Sequence, residues 1–346
     1  MHNTVSYCLL GLWVVVAATG CSPQVENEVR LHSTVDQEIS APILSAFHRA
    51  QNKLVRPTAI FSNAGVDREE LIDRIHSKDP DIASDVLWTD DILLMIQLEH
   101  RGLLKPHSWQ VAADFPANMK AEDGTWCGIA AIARVVMVNT DKLSSDADHP
   151  KSVDELADPR WRQRCAIATP LLGTAAIHAA VIAQQKGVDD AYEWFKQIVS
   201  NAVVLPSNSA VASAVAAGRV DWGLTDSNYA VAYQDQSSSI AIVFPDQSAL
   251  GQGTLRIPNG VAILAGAPHP VAAAQLADYL VLPTTEDRLA MSDTAQIPLS
   301  RQSNFRPRVL SASPVRWASA DFSAAYDAWN ALEPRLRTLF ASAEGG

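Results

Sequence analysis

The chain is 346 residues long, 48% hydrophobic, and carries a formal charge of −11 at pH 7. So acidic a chain repels phosphate backbones and anionic lipid heads, which argues against nucleic acid and against a lipid surface as partners. The apolar content suffices for sizeable cores, and past the N-terminal segment no run is long and apolar enough to cross a membrane. Of four cysteines, Cys8 and Cys21 fall in the first 21 residues, and no pair has the CxxC spacing of a thiolate zinc site. Cys127 and Cys165 remain, either as a disulfide in an oxidising compartment or as buried free thiols.

A polar stretch, His2 to Tyr7, precedes an almost unbroken apolar run from Cys8 to Ala18. That run is too short to span a bilayer as a mature helix, so it reads as the apolar core of an export signal. It closes on Ala18-Thr19-Gly20-Cys21, which resembles the lipobox of bacterial lipoproteins. The resemblance implies that Cys21 is lipidated and becomes the new N-terminus; the alternative is an ordinary signal cleaved nearby. An exported protein is expected, tethered to a membrane through its lipid anchor only. Residues 22–29 follow as a polar tether.

Downstream, strand-like and helix-like segments alternate, the pattern of α/β architecture. Arg30 to Ser33 reads as a strand. Thr34 and Gln37 stand at capping-box spacing before Ile39, Leu44 and Phe47 of a first helix, in which Pro42 predicts a kink or a late start. Asp67 and Glu70 repeat the cap signature before Leu71, Ile72 and Ile75. Asp85 to Thr89 is a buried strand, Asp90 and Asp91 cap a helix over Ile92 to Leu98, and Gly102 with Pro106 stops it. Ile129 to Val138 is a longer strand, followed by an aspartate-rich connection from Asp141 to Pro150.

The second half repeats this grammar. Ala166 to Thr169 is a strand, and Gly173-Thr174 opens an alanine-rich helix that Gly187 ends. Asp189 caps the next helix, with Tyr192, Phe195 and Ile198 on one face. Strands at Val203 to Leu205 and Trp222 to Thr225 flank a helix from Ala210 to Ala217, and Asp226-Ser227-Asn228 forms a polar loop. Ile240 to Phe244 and Val261 to Leu264 are strands, and Val271 to Leu280 is a helix. Phe322, Tyr326 and Trp329 mark a last amphipathic helix, interrupted near Pro334.

Open α/β sheets bind ligands where loops leave the carboxyl ends of strands and run into helix N-termini. Four such loops are polar here: Ser33 to Asp36, Thr89 to Asp91, Gly173-Thr174, and Thr225 to Tyr229, with Ser207 to Ser209 a fifth. Singly, each is explained as well by capping, since Asp, Ser, Thr and Asn are the preferred caps. Grouped around one cleft, free N–H groups and carboxylates suit an anion or a metal–anion pair. The chain has no GxSxG elbow, no HExxH and no P-loop, and its histidines are scattered. His178, in its alanine-rich helix, reads as packed.

At these same loops the chain resembles the periplasmic solute-binding proteins of ABC importers, in particular the ferric-iron-binding family. The resemblance is carried by LHSTVDQEISAPILSAF (Leu31 to Phe47), DVLWTDDIL (Asp85 to Leu93) and ARVVMVNT (Ala133 to Thr140). It continues through IATPLLGTAAIHAA (Ile167 to Ala180), GLTDSNYA (Gly223 to Ala230) and NGVAILAGAPHPVAAAQLADYL (Asn259 to Leu280). It implies a two-lobed α/β protein of the second periplasmic-binding class, a Venus flytrap with an interlobe cleft. The first lobe would comprise residues 30–132 and 257–300, the second residues 133–256, and residues 301–346 would form C-terminal helices bracing both.

The implied function is capture of ferric iron, or an iron–anion complex, for a membrane permease driven by an ATPase, by a monomer without enzymatic activity or a resident cofactor. The family's metal-binding positions fall at Asp36 (with Gln37 beside it), Asp90 and Tyr229, all hard oxygen donors in keeping with Fe³⁺. Its tyrosine pair is Asn228 and Tyr229 here, so one phenolate remains. Its Arg-x-Arg strand is Ile132-Ala133-Arg134, with one arginine left. Thr34, Gly173, Thr174 and Asp226 complete the expected ligand set. Two alternatives stay open: a small organophosphate or phosphonate held by Arg134 and the N–H groups at Gly173-Thr174, and a secreted enzyme using Asp36 or Asp90 as general base.

Overall fold

The computed structural model describes residues 27–62, 68–77, 79, 81–310 and 314–344. The export signal, Cys21 and Asp67 lie outside the described residues. In the first part, β1 (Glu28–Ser33), α1 (Gln37–Ala50), β2 (Arg56–Phe61), α2 (Arg68–His76), β3 (Val86–Thr89), α3 (Ile92–His100) and β4 (Leu104–Lys105) precede the long strand β5 (Trp126–Asn139). Then come β6 (Cys165–Ala168), α4 (Gly173–Lys186), α5 (Val188–Asn201), β7 (Val203–Leu205), α6 (Asn208–Ala216), β8 (Trp222–Asp226), α7 (Ser227–Gln234) and β9 (Ile240–Val243). The chain finishes with β10 (Arg256–Leu264), α8 (Pro270–Leu280), α9 (Pro283–Met291) and α10 (Phe322–Glu344).

β5 belongs to two sheets, and this decides the architecture. Its first part, to Ala133, pairs antiparallel with β10 in the sheet β2-β1-β3-β10-β5. From Arg134 onward it pairs with β8 and β9 in a second sheet, β5-β8-β6-β7. The chain therefore folds as two α/β lobes joined side by side along β5 and β10. β3 runs parallel to β5 and its last residue, Thr89, lies level with Gly128 through Gly260. β8 runs the opposite way and its last residue, Asp226, faces Arg134. The strand ends of the two lobes thus point at each other across the stretch from Gly128 to Arg134, roughly 20 Å of extended chain. The loops that leave those ends line the gap.

Apolar alternation and length set most elements, but several local rules yielded to tertiary packing. α1 runs unbroken through Pro42; the proline sits in the second turn, where it forfeits a single backbone bond to Glu38. α10 likewise continues through Pro334, its Trp329, Leu332 and Leu336 buried in the same core as Leu94 of α3 and Ile177 of α4. β1 starts at Glu28 with Val29 fully buried, two residues inside the expected tether. Gly187, not Asp189, occupies the N-cap of α5. Cys127 and Cys165 are free buried thiols, each pushed up to about 12 by desolvation, so no disulfide joins the lobes. Among the described residues no helix is long and apolar enough to cross a membrane.

Candidate functional site

On the first lobe, two loops are stitched together. The Thr34 hydroxyl donates to Asp90 Oδ1 at 2.8 Å and sits 2.9 Å from the Thr89 hydroxyl. The aspartate pair then divides its labour. Asp91 is the N-cap of α3, accepting from the amides of Leu93 and Leu94, and it also pairs with Arg68. Asp90 caps nothing. Its partial burial raises its pKa to about 6, offset in part by the Thr34 hydrogen bond, with Asp91 and Asp226 adding like charge. Asp36 occupies the N-cap position of α1 but makes no capping bond, and its side chain is exposed. The expected Thr34–Gln37 capping box is absent for the same reason: the helix starts one residue after Asp36.

On the second lobe, Gly173 opens α4 at φ +55, a conformation that glycine adopts without strain. The helix N-terminus has no side-chain cap. Beside it lies a buried polar knot. Arg134 is 1% exposed and its Nη1 donates to Asp226 Oδ1 at 2.5 Å and to Asn208 Oδ1 at 2.9 Å. Asp226 Oδ2 accepts from the Thr174 hydroxyl at 2.6 Å and from the Asn208 amide at 2.9 Å. His178 packs behind, its Nδ1 accepting from Arg134 Nε at 3.4 Å. Burial, helped by the neighbouring guanidinium, lowers its pKa to about 3, so the ring is neutral.

Asp226 ends β8 and α7 begins directly at Ser227, so the expected three-residue loop is absent. Asn228 and Tyr229 consequently stand in the first turn of α7. The Asn228 side-chain oxygen is buried without a donor. Tyr229 is 38% exposed, and its phenol is held above its ordinary pKa by desolvation and then by the carboxylates of Asp226, Asp36 and Asp90. One phenol thus feels the acidic loops of the opposite lobe as well as its own. Carboxylate and phenol oxygens of this kind suit a hard cation once the phenol has lost its proton. Among the described residues no three His, Cys, Asp or Glu side chains group closely enough to hold a metal ion by themselves.

A cavity of about 310 Å³ lies between Thr34, Asp90 and Asp91 on one side and Leu172 and Gly173 on the other. Its back wall is α10, which contributes Tyr326, Trp329, Asn330, Glu333 and Arg337. Sequence reasoning missed this wall and Arg68; it placed Asn208 in a fifth candidate loop without giving its side chain a role. The signal for the wall was the polar face Asn330, Glu333, Arg337 running beside buried Trp329 and Leu336; Asn208 resembled an ordinary turn residue.

Comparison with known proteins agrees with this architecture. Residues 88–325 match the family described as bacterial extracellular solute-binding protein, and the chain belongs to that family of binding proteins, not of enzymes. It is 27% identical over 265 residues to iron uptake protein A1 of Synechocystis, covering 73% of this chain and 69% of that one. It is 33% identical over 141 residues to the Fe(3+)-binding periplasmic protein of Serratia marcescens, 41% of each chain. The structure of the Trichodesmium protein IdiA (FutA) in complex with iron and citrate ligands superposes with a TM-score of 0.76 at 22% identity, over 90% of this chain and 99% of that one. That likeness establishes the two-lobed fold.

Proposed function

We propose that this protein is the substrate-binding component of an ABC importer, capturing ferric iron between its lobes and delivering it to a membrane permease powered by an ATPase. The observation that carries the reading is Tyr229, a phenol on the second lobe held above its ordinary pKa by burial and then by Asp226, with Asp36 and Asp90 of the first lobe adding to the effect. Phenolate and carboxylate are the oxygen donors that hard Fe³⁺ prefers, and the relatives named above are iron proteins. Asp36, Asp90 and Tyr229 are the proposed metal ligands. Thr34 orients Asp90, the first turns at Gly173-Thr174 and Asn228 bound the site, and Arg134 and Asp226 lie beneath it.

The lobe assignment proposed here keeps residues 30–132 and 257–300 in the first lobe and 133–256 in the second, supported by the sheet change between Ala133 and Arg134. Residues 301–346 brace both, supported by the shared core of α3, α4 and α10. The proposed location is the periplasm or cell surface, with Cys21 lipidated. The organophosphate alternative is weaker, because the guanidinium meant to hold the phosphate is buried against Asp226. Elemental analysis and mass spectrometry of protein purified from its natural producer test the cargo: iron bound in stoichiometric amount is expected, whereas a phosphorylated metabolite without iron would overturn the assignment.

A further inference from the structure

The buried knot beneath the cleft has the composition of an anion socket. It assembles a guanidinium (Arg134 of β5), a hydroxyl (Thr174 of α4) and a carboxamide (Asn208 of α6). Such donors suit a tetrahedral or planar oxyanion. The socket is filled, and the occupant is the chain's own carboxylate.

We propose that Asp226 is a built-in anion, so that the protein takes up its metal cargo without a free phosphate, carbonate or carboxylate as co-ligand. Asp226 stands at the N-cap position of α7, where an aspartate would ordinarily bond the amides of its own helix. It makes no such bond and turns both oxygens into the socket instead. Oδ1 takes the guanidinium, and Oδ2 takes the hydroxyl and the amide. With side-chain exposures of 1% and 5%, Arg134 and Asp226 are both removed from water. A pair so desolvated persists only when its remaining hydrogen bonds are made, as they are here. An exogenous anion can take the Arg134 Nη1 bond that Asp226 holds only if Asp226 leaves. Asp226 is also spent as a metal ligand, which assigns coordination to Asp36, Asp90 and Tyr229 and leaves the other positions around the metal to water or hydroxide.

The inference concerns the cleft assigned to ferric iron, yet its first test needs no iron. Apo protein is melted with inorganic phosphate raised only through the low millimolar range at constant ionic strength, where the general stabilising effect of the salt is small, as wild type and as Asp226→Ala. The wild type should hold one melting temperature throughout. The variant, with Arg134 uncompensated, should melt lower and recover as the logarithm of phosphate concentration rises. A phosphate-dependent rise in the wild type, or a folded variant blind to phosphate, overturns the proposal. Should the variant not fold, the wild type decides: loaded with ferric iron in phosphate, carbonate or citrate and freed of excess by gel filtration, it should retain iron with no associated anion. One anion per iron would overturn the built-in anion while leaving the iron assignment standing. Absence of iron would sink the cargo assignment alone, because the phosphate melts still judge the socket.

Discussion

Two adjacent aspartates carry opposite duties, and substitution should separate them. Asp91 caps α3 and pairs with Arg68, so Asp91→Ala should cost about 1–2 kcal/mol of stability, read by denaturant unfolding, while iron affinity falls little. Asp90 is uncapped, and its folded pKa of about 6 lies above the 3.8 of an unstructured aspartate. Its raised value favours the folded state most below pH 3.8, and that contribution is lost as pH rises through 6. Asp90→Asn should therefore melt higher than wild type above pH 6, by on the order of 1–2 kcal/mol after solvent screening, match it under acid, and lose iron affinity. A variant destabilised at neutral pH would return Asp90 to an ordinary structural role. Metal binding must also remove the Tyr229 proton, which its neighbours hold above the usual value. Calorimetry in buffers of different ionisation enthalpy, with the same ferric donor, should count about one more proton released at pH 5 than at pH 7.5, because Asp90 is protonated only at the lower pH. The residue types at this site were legible from loop positions. Which aspartate caps was not, because Asp90 and Asp91 satisfy the same local rule and only the register of α3 against β3 separates them.

The elements were legible where periodicity and burial agree, as in β5, α4 and α8, and less so where context overrides local chemistry. β2 escaped notice because Arg56, Pro57 and Thr58 give an edge strand no apolar alternation. Pro42 and Pro334 promised breaks that packing on the core suppresses. The crossing strands hold a further feature that composition does not reveal. Opposite the register shift at Pro258/Asn259, Ala130 is the extra residue of a bulge and adopts φ +45, unusual for a side chain other than glycine. Its amide donates to Glu286, whose carboxylate also accepts from the amides of Leu299 and Ser300. Glu286→Ala strands three buried N–H groups beside the crossing and should cost about 3 kcal/mol or more, measured by thermal or chemical unfolding. A loss below about 1 kcal/mol would show that the bulge is held by the sheet alone.

At the scale of the whole molecule, two lobes meet along β5 and β10 and offer their acidic loops to one cleft. In the proposed site donors come from loops on both sides, so ligand affinity itself would favour closure. Small-angle scattering should show a smaller radius of gyration on adding ferric iron, and an unchanged radius at saturation would contradict the flytrap motion. The two-lobed plan followed from the alternation of elements and their ordered resemblance to a known family, whereas the polar face of α10 marked a helix beside a polar space without saying which loops lie across from it, since that is a long-range contact. The central claim is that Tyr229 and the carboxylates facing it hold ferric iron. Visible spectroscopy during titration of the apo protein with ferric citrate tests it most directly, because phenolate bound to Fe³⁺ produces a charge-transfer band. A coloured wild type, and a Tyr229→Phe variant that folds normally but stays colourless, is the predicted result. A wild type that remains colourless at saturation, or a variant with the same colour, would contradict the account.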